Sequence, residues 1–373
     1  MRMIERKFCV VCEGSIHHCH TFQRFPIYMG VTNDIIEQDI SVDMVFSECS
    51  NCGCVQLSSL VPLDILYAKG HNGAIGKMWD RHHYEFYQFI KSYAKGTIME
   101  IGGGNLKLAK HLETEKLVEQ IIIHDFNFCE DTETDKIIFK KPTDKMATPQ
   151  EKVDMIVHSH LIEHLYDPVA ELKEMASLLP IGGHMAIAMP LINVMIEDKF
   201  TNAMNFEHTY MLTYDMAERM LNIAGFSIVD KKHFSPHAIF IVAEKINSKS
   251  ISAVKYEGSI STFDDFIVYY KEEIKKIQSQ IKSKKEDTFI FGAHIFTQYL
   301  IGFGLSEDLF SNALDNDPNK IGSRLYGTSL QVKSPKTLKD IDSPVVVLKA
   351  AMYTEEIKKD ILENINPNTK FIL

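Results

Sequence analysis

The cysteines constrain this chain more than any other feature. There are 7 in 373 residues, and all but Cys129 fall within the first 54 positions. Cys9-x-x-Cys12 and Cys49-x-x-Cys52 are two knuckles separated by residues 13–48. A knuckle is a tight turn that aims two thiolates at one point, and two knuckles complete a tetrahedral four-sulfur zinc site. The intervening stretch has room for a small β-ribbon. Gly14 and Gly53, beside the pairs, give the turns conformational freedom. With sulfur at all four positions no coordination site is open, so the zinc is expected to serve folding rather than chemistry. Free buried thiols or a redox Cys-x-x-Cys are the alternatives. No thioredoxin-like strand and helix follows either pair. His17, His18, Cys19 and His20 resemble a second cluster but read as a polar loop, because the knuckles already satisfy the metal.

The start MRMIERKFCVVCEG lacks the apolar stretch of a signal peptide, and no run approaches the roughly 20 apolar residues that span a bilayer. A cytoplasmic location, where thiols stay reduced, is expected. Hydrophobic residues make up 45% and charged residues 24%, with a net charge of −10. That balance is globular, and it disfavours broad nucleic-acid or anionic-membrane binding. The expected partner is a small molecule, with no nucleic acid and no membrane, on a monomer or weak homo-oligomer.

After the cysteines the pattern alternates. Residues 61–96 have helical spacing around Trp79, His82, His83, Phe86 and Tyr87, with Gly96 as the stop. TIMEIG (97–102), QIIIHD (120–125), VDMIVHSH (153–160) and HMAIAMP (184–190) read as strands. Residues 105–113, 168–180 and 214–224 read as helices, and 226–245 as a closing hairpin. This alternation specifies a doubly wound parallel sheet. Residues 263–285 form an amphipathic connecting helix, and TFIFGAH (288–294) opens a second, smaller α/β unit.

The chemistry is expected at the first strand's end. TIMEIG runs into Gly-Gly-Gly-Asn (102–105), a turn that lets a ligand approach the backbone. A dinucleotide turn would carry a third glycine, where Lys107 stands. Glu100 precedes Gly102 and Gly104 instead, and Asp125 closes the next strand. This resembles motif I of class I S-adenosylmethionine-dependent methyltransferases, with Asp125 accepting the ribose hydroxyls. Residues 153–168 resemble motif IV of such enzymes. That likeness implies His160 near the methionine end of the cofactor. Glu163-His164 is expected to cap and orient its loop, and Asp167-Pro168 to start a helix.

With the cysteine module in front and the smaller α/β unit behind, the chain resembles the sugar C-methyltransferase family. The likeness implies a zinc-binding module (1–66), a class I (Rossmann-like) methyltransferase core (67–250), and a connecting helix with a C-terminal α/β domain (251–373). It implies S-adenosylmethionine as cofactor and C3-methylation of a nucleotide-linked 4-keto deoxysugar. The family's base lies in a Tyr-His-Glu-His segment, matched here by Asn205-Phe206-Glu207-His208. The likeness thus makes His208 the base and Glu207 its orienter or second acid. Tyr210, close by, is expected to donate to the oxyanion. The first two positions differ, which keeps open an O- or N-methyltransferase acting on a sugar or glycan-modification precursor. A degenerate, non-catalytic fold and a dehydrogenase are the remaining readings. They conflict with the intact Glu100, Gly102, Gly104, Asp125 and His208, and with the absent third glycine.

Overall fold

The computed structural model describes residues 1–68, 77–103, 105–125, 133–140, 152–247, 261–282, 284–350 and 353–373. Gly104 and Cys129 lie outside the described residues. Three strands form the main sheet of the N-terminal module: β1 (Ile16–Pro26), β2 (Ser41–Cys49) and β3 (Val55–Leu57). They pair in the order β1-β2-β3, all antiparallel. The His17–His20 stretch is therefore strand rather than loop. Its alternating side chains put His17 beside Glu48, at 3.6 Å.

The middle of the chain builds a 7-stranded sheet. Its strands are β4 (Gly96–Ile101), β5 (Val118–His124), β6 (Ile137–Lys140), β7 (Met155–Ser159), β8 (His184–Pro190), β9 (Phe226–Ser235) and β10 (Ala238–Lys245). Their order is β9-β10-β8-β7-β4-β5-β6. Only β10 among them runs against the rest. The central strands are apolar on both faces because helices cover both. One layer holds α1 (Lys77–Ile90) and α2 (Lys107–Leu112), which bury Phe86, Ile90, Leu108 and Leu112. The other holds α3 (Pro168–Leu178) and α4 (Tyr214–Ile223). Asp167 caps α3 through its side chain, with Pro168 at the first helical position, as the sequence implies. The chain leaves β4 toward one edge and returns at β7 toward the other. The carboxyl ends of β4 and β7 thus flank the crevice where doubly wound sheets bind ligands.

The C-terminal sheet has 5 parallel strands. They are β11 (Thr288–Phe291), β12 (Asn312–Leu314), β13 (Val332–Lys333), β14 (Val345–Leu348) and β15 (Lys370–Ile372), in the order β13-β12-β11-β14-β15. Helix α5 (Ser261–Gln280) precedes this sheet, and α6 (Ile295–Gly302) follows β11.

The N-terminal module packs on both other parts. Val31–Thr32 pairs with Arg324–Leu325, and Arg324 grips Asp39 with both terminal nitrogens, at 2.6 and 2.8 Å. Phe22, Phe25 and Tyr299 form a buried aromatic cluster with ring centroids 4.6–5.8 Å apart. The Tyr299 hydroxyl donates to Met204 O at 2.9 Å, so one side chain joins all three parts. Gly302 is required beneath this cluster, because a Cβ there would lie 2.9 Å from the Phe25 ring. Gly302→Ala should therefore lose stability despite alanine's better helix propensity. A drop of about 1–3 kcal/mol is expected from the denaturant midpoint.

Candidate active site and four-cysteine cluster

The two knuckles meet. Cys9 Sγ lies 3.6 Å from Cys52 Sγ, and Cys12 Sγ lies 3.4 Å from Cys49 Sγ. All four sulfurs fall within 4.8 Å of one another, and none is in a disulfide. A tetrahedral ion with bonds of about 2.3 Å would set its sulfurs about 3.8 Å apart. The two turns are built alike. Val11 N–H donates to Cys9 Sγ and Asn51 N–H to Cys49 Sγ, each at 3.4 Å. Cys9 N–H reaches Gly14 O, as Cys49 N–H reaches Cys54 O. Amides aimed at sulfur favour the thiolate that a metal needs. The hydrogen bond with Cys52 pushes the Cys9 thiol far down, with Cys54 adding to it, and the same contact pushes Cys52 up.

The glycine roles differ from the expected ones. Gly53 is left-handed at φ 66°, but its counterpart in the first knuckle is Glu13, at φ 58°. Gly14 serves space rather than φ: a Cβ there would stand 2.7 Å from Asn51 and 3.0 Å from Cys49 Sγ.

At the end of β4 the chain turns through Gly102, at φ 80°, whose N–H donates to His124 O at 2.8 Å. That bond ties the turn to β5 and sets Asp125, the next residue, beside it. Glu100 folds its carboxyl beneath the turn. A Cβ on Gly103 would lie 2.5 Å from the Glu100 carboxyl carbon, so only glycine fits. Burial, and then the Asp125 charge, push the Glu100 pKa up to about 8. Its Oε2 is buried with no hydrogen-bond partner among the described residues. An unpaired buried carboxylate oxygen over a glycine cradle suits a ligand that brings a donor or a positive charge. Glu100, Gly102 and Asp125 are thus brought to one place. Gly104 lies outside the described residues.

His160 stands at the end of β7, left-handed at φ 52°, with its N–H on Ala188 O at 2.8 Å. Its ring meets Trp79 of α1 edge-on at 4.9 Å and lies tilted against His82 at 5.2 Å. From here the loop turns inward, and Glu163 becomes wholly buried. His160 Nδ1 is 3.2 Å and His164 Nε2 3.9 Å from Glu163 Oε1. Burial pushes the Glu163 pKa up, but the adjacent His160, with His164 and His208, outweighs it and holds it at about 2. Glu163 makes no capping bond in its loop; it orients the loop, as expected, by anchoring His160 and His164, and it draws in His208 from another.

The second loop supplies the rest. Asn205 Oδ1 accepts Glu207 N–H at 2.7 Å and His208 N–H at 2.8 Å, closing an Asx-type turn. His208 Nδ1 lies 2.9 Å from Ala203 O. A carbonyl only accepts, so Nδ1 carries the hydrogen and Nε2 keeps its lone pair. The His208 ring meets His164 edge-on at 5.1 Å. Glu207 Oε2 is 3.7 Å from His164 Nδ1, and the Tyr67 hydroxyl is 3.4 Å from that same nitrogen. Glu207 thus faces His164 rather than His208. Glu163, His164 and His208 each offer one atom within 4.8 Å of the others.

Tyr210 does not take the expected place. It is 1% exposed, and its hydroxyl donates to Ile162 O at 2.6 Å. It points into the core and props the first loop. Tyr67 is the residue that the sequence did not single out; Glu163, His164 and Asn205 were singled out, but not as members of this cluster. The only local signal was the Glu-His pair just after a central strand.

The chain matches two protein families. Residues 79–231 match a methyltransferase domain, and residues 237–373 match a C-methyltransferase C-terminal domain. The chain is an S-adenosylmethionine-dependent methyltransferase. Its core is the class I, Rossmann-like α/β fold, followed by the C-methyltransferase C-terminal domain. No curated protein matches the methyltransferase. Three solved structures are similar to it in part. One is the complex between the Haloferax volcanii Trm112 methyltransferase activator and its methyltransferase, at 14% identity over 46% of this chain and 91% of that one, with a TM-score of 0.39. Another is an S-adenosylmethionine-dependent methyltransferase from Mesorhizobium loti, at 14% identity over 45% and 98%, with a TM-score of 0.37. The third is an O-methyltransferase family 2 protein from Planctomyces limnophilus in complex with apigenin, at 16% identity over 44% and 57%, with a TM-score of 0.38. No helix among the described residues is long and apolar enough to cross a membrane.

The raised Glu100 pKa has a sign that can be tested. Without ligand, the folded state holds this proton up to about pH 8, while the unfolded chain releases it near 4.5. Stability is then lost as pH rises from about 4.5 to about 8, and is constant above. Glu100→Gln should remove that loss. Its melting temperature should exceed the parent's at pH 8–9, by on the order of a few kcal/mol in stability, and converge with it near pH 4.5. Calorimetry with S-adenosylmethionine should show weaker binding by the same variant.

Proposed function

We propose that this methyltransferase methylates C3 of a nucleotide-linked 4-keto deoxysugar, with His208 as the base. The observation that carries the reading is the fixed tautomer of His208. Its Nδ1–H is committed to Ala203 O, which leaves Nε2 free to accept a proton. A carbonyl at C4 makes the C3 proton acidic enough for an imidazole near neutral pH. His208 Nε2 takes that proton, and the C–H electron pair passes into an enolate with its charge on O4. The imidazolium so formed is steadied by the buried Glu163 carboxylate. The phenol of Tyr67, beside His164, is the donor placed to meet the oxyanion. Bound S-adenosylmethionine would supply the electrophilic methyl group for C3. Glu100, Gly102 and Asp125 are the residues assigned to hold it, with His160 toward its methionine end. Glu207 keeps His164 oriented.

A cleft of about 250 Å³ suits the nucleotide half of such a substrate. Phe200, Tyr269 and Phe296 offer it ring faces, and Lys199 offers positive charge, with Lys349 beside it paired to Glu273. It adjoins Thr201–Ala203, the turn whose last carbonyl holds His208. The substrate is thus expected to reach from this cleft to His208. We assign zinc to Cys9, Cys12, Cys49 and Cys52 as a structural ion, supported by the sulfur spacing and the amides on Cys9 and Cys49.

Incubation in heavy water with GDP- and dTDP-linked 4-keto sugars, without S-adenosylmethionine, should introduce deuterium at C3. Adding the cofactor should add a methyl mass. His208→Ala should slow both by roughly 10²–10⁴-fold. Persistent exchange would remove His208 as the base. A methyl gain on a non-keto sugar without exchange would move the reaction to oxygen or nitrogen. Elemental analysis of the purified protein should find close to one zinc per chain. Cys49→Ser should lower both the zinc content and the melting temperature, and a content well below one in the parent would sink the zinc assignment.

A further inference from the structure

We infer that Arg6 is a positioning residue, whose enclosed guanidinium locks the two loops carrying Glu163-His164 and Glu207-His208 to each other and to the four-cysteine module. The inference rests on the reading of these loops as the catalytic centre.

Arg6 lies just before the first knuckle, with its N–H on Ser58 O at 2.8 Å. Its Nη1 donates to Thr209 O at 2.7 Å and to Leu57 O at 3.2 Å. Its Nη2 donates to Tyr166 O at 2.8 Å and Thr209 Oγ1 at 3.0 Å, with a longer contact to Leu165 O at 3.4 Å. The acceptors fall on three stretches. Leu165 and Tyr166 directly follow His164. Thr209 directly follows His208. Leu57 ends β3, which begins right after Cys54.

Main-chain bonds complete the lock. Thr209 N–H donates to Glu163 O at 3.0 Å, Leu57 N–H to Thr209 O at 2.9 Å and Met211 N–H to Val55 O at 2.8 Å. Thr209 Oγ1 donates in turn to Leu165 O at 2.9 Å. The segment after His208 thus joins β3 through one antiparallel bridge, Gln56 to Tyr210, and Arg6 closes the open side.

The cost of this arrangement argues for a purpose. No carboxylate forms an ion pair with Arg6 among the described residues, and its Nε is buried without a partner. A cation held by carbonyls and one hydroxyl, with no counter-charge, costs desolvation that an apolar strut would avoid. The planar fork obtains something an apolar residue cannot give. It satisfies carbonyls from two loops at once in one fixed geometry, which a lysine cannot copy. His164 and His208 each sit one residue from a carbonyl so held. A displacement of about 1 Å at either ring is worth up to roughly 10²-fold in rate.

The test uses the full chain with Arg6→Lys, and Thr209→Val as a milder second variant that removes the hydroxyl bridge. Imidazole signals are read by NMR on histidine-labelled protein, S-adenosylmethionine affinity by calorimetry, and C3 exchange with the 4-keto sugars in heavy water. Both variants should keep the parent's metal content and bind S-adenosylmethionine within about threefold, while exchange falls roughly 10–100-fold at saturating sugar. The His164 and His208 signals should move and their pH profiles change, with the exposed His17 and His18 unaffected. Folded variants with unmoved His164 and His208 signals would overturn the inference. So would a loss of cofactor affinity in step with exchange, which is what general loosening gives. Full exchange in His208→Ala would sink the catalytic reading, whereas a dead His208→Ala beside a fully active Arg6→Lys would sink the lock alone.

Discussion

A wholly buried carboxylate cannot stay ionised unless its surroundings replace the water it has lost. Glu163 meets that requirement with His160 and His164 from its own loop and His208 from another. The arrangement is demanding. His160 must adopt a left-handed backbone to turn its ring back, and His208 must approach from a segment about forty residues away. Neither loop belongs to a helix or strand of the central sheet, so neither would hold its place alone. The charge at Glu163 thus rests first on His160 and His164 of its own loop, and His208 of the second loop adds to it.

The N-terminal module answers that need. Its strand β3 pairs with Thr209 and Met211. Its other end is fastened to the C-terminal domain through Arg324 and Asp39, and through Gln298, whose amide donates to Tyr28 O and Tyr326 O. A module of so few strands has little core of its own. A four-sulfur metal site would supply the missing cohesion, and its rigidity would pass along β3 to the loop that carries His208. On the proposed reading, the metal would serve the module, and the chemistry would fall to the side chains of the two loops.

What the sequence disclosed follows from the range of each interaction. The knuckles were legible because a Cys-x-x-Cys turn is set by its own few residues, and so were the strand–glycine–helix turn and the Asp167 cap. Strand β6 was not read in advance. The Glu163-His164 pair was read only as orienting its loop, because its further partners, Tyr67, Glu207 and His208, come from elsewhere in the chain. Tyr210 was misassigned for the opposite reason. Nearness to His208 in sequence suggested a shared site, but Thr209 to Met211 run extended along β3, and Tyr210 is turned into the core. Glu13 shows the same limit on a smaller scale. The left-handed position went to the residue at the matching place in the turn, not to the nearest glycine.

Asn205 bears on why the loop could change and still serve. It stands where the resembled family carries tyrosine, and an asparagine cannot offer a phenol to a substrate. Its side chain instead binds the two amides that follow it, which fixes the direction in which Glu207 and His208 leave the turn. Phe206, between them, is buried against Phe25 and holds the turn to the N-terminal module. A phenol is nevertheless present, because Tyr67 reaches His164 from the segment ahead of α1. The proton abstraction proposed for this site would require an imidazole with a free nitrogen, a carboxylate to balance its charge and a donor for the oxyanion. Here they come together from separate stretches of chain. A change at any one position of the loop is therefore a weak guide to the chemistry, and the assembled set is the stronger one.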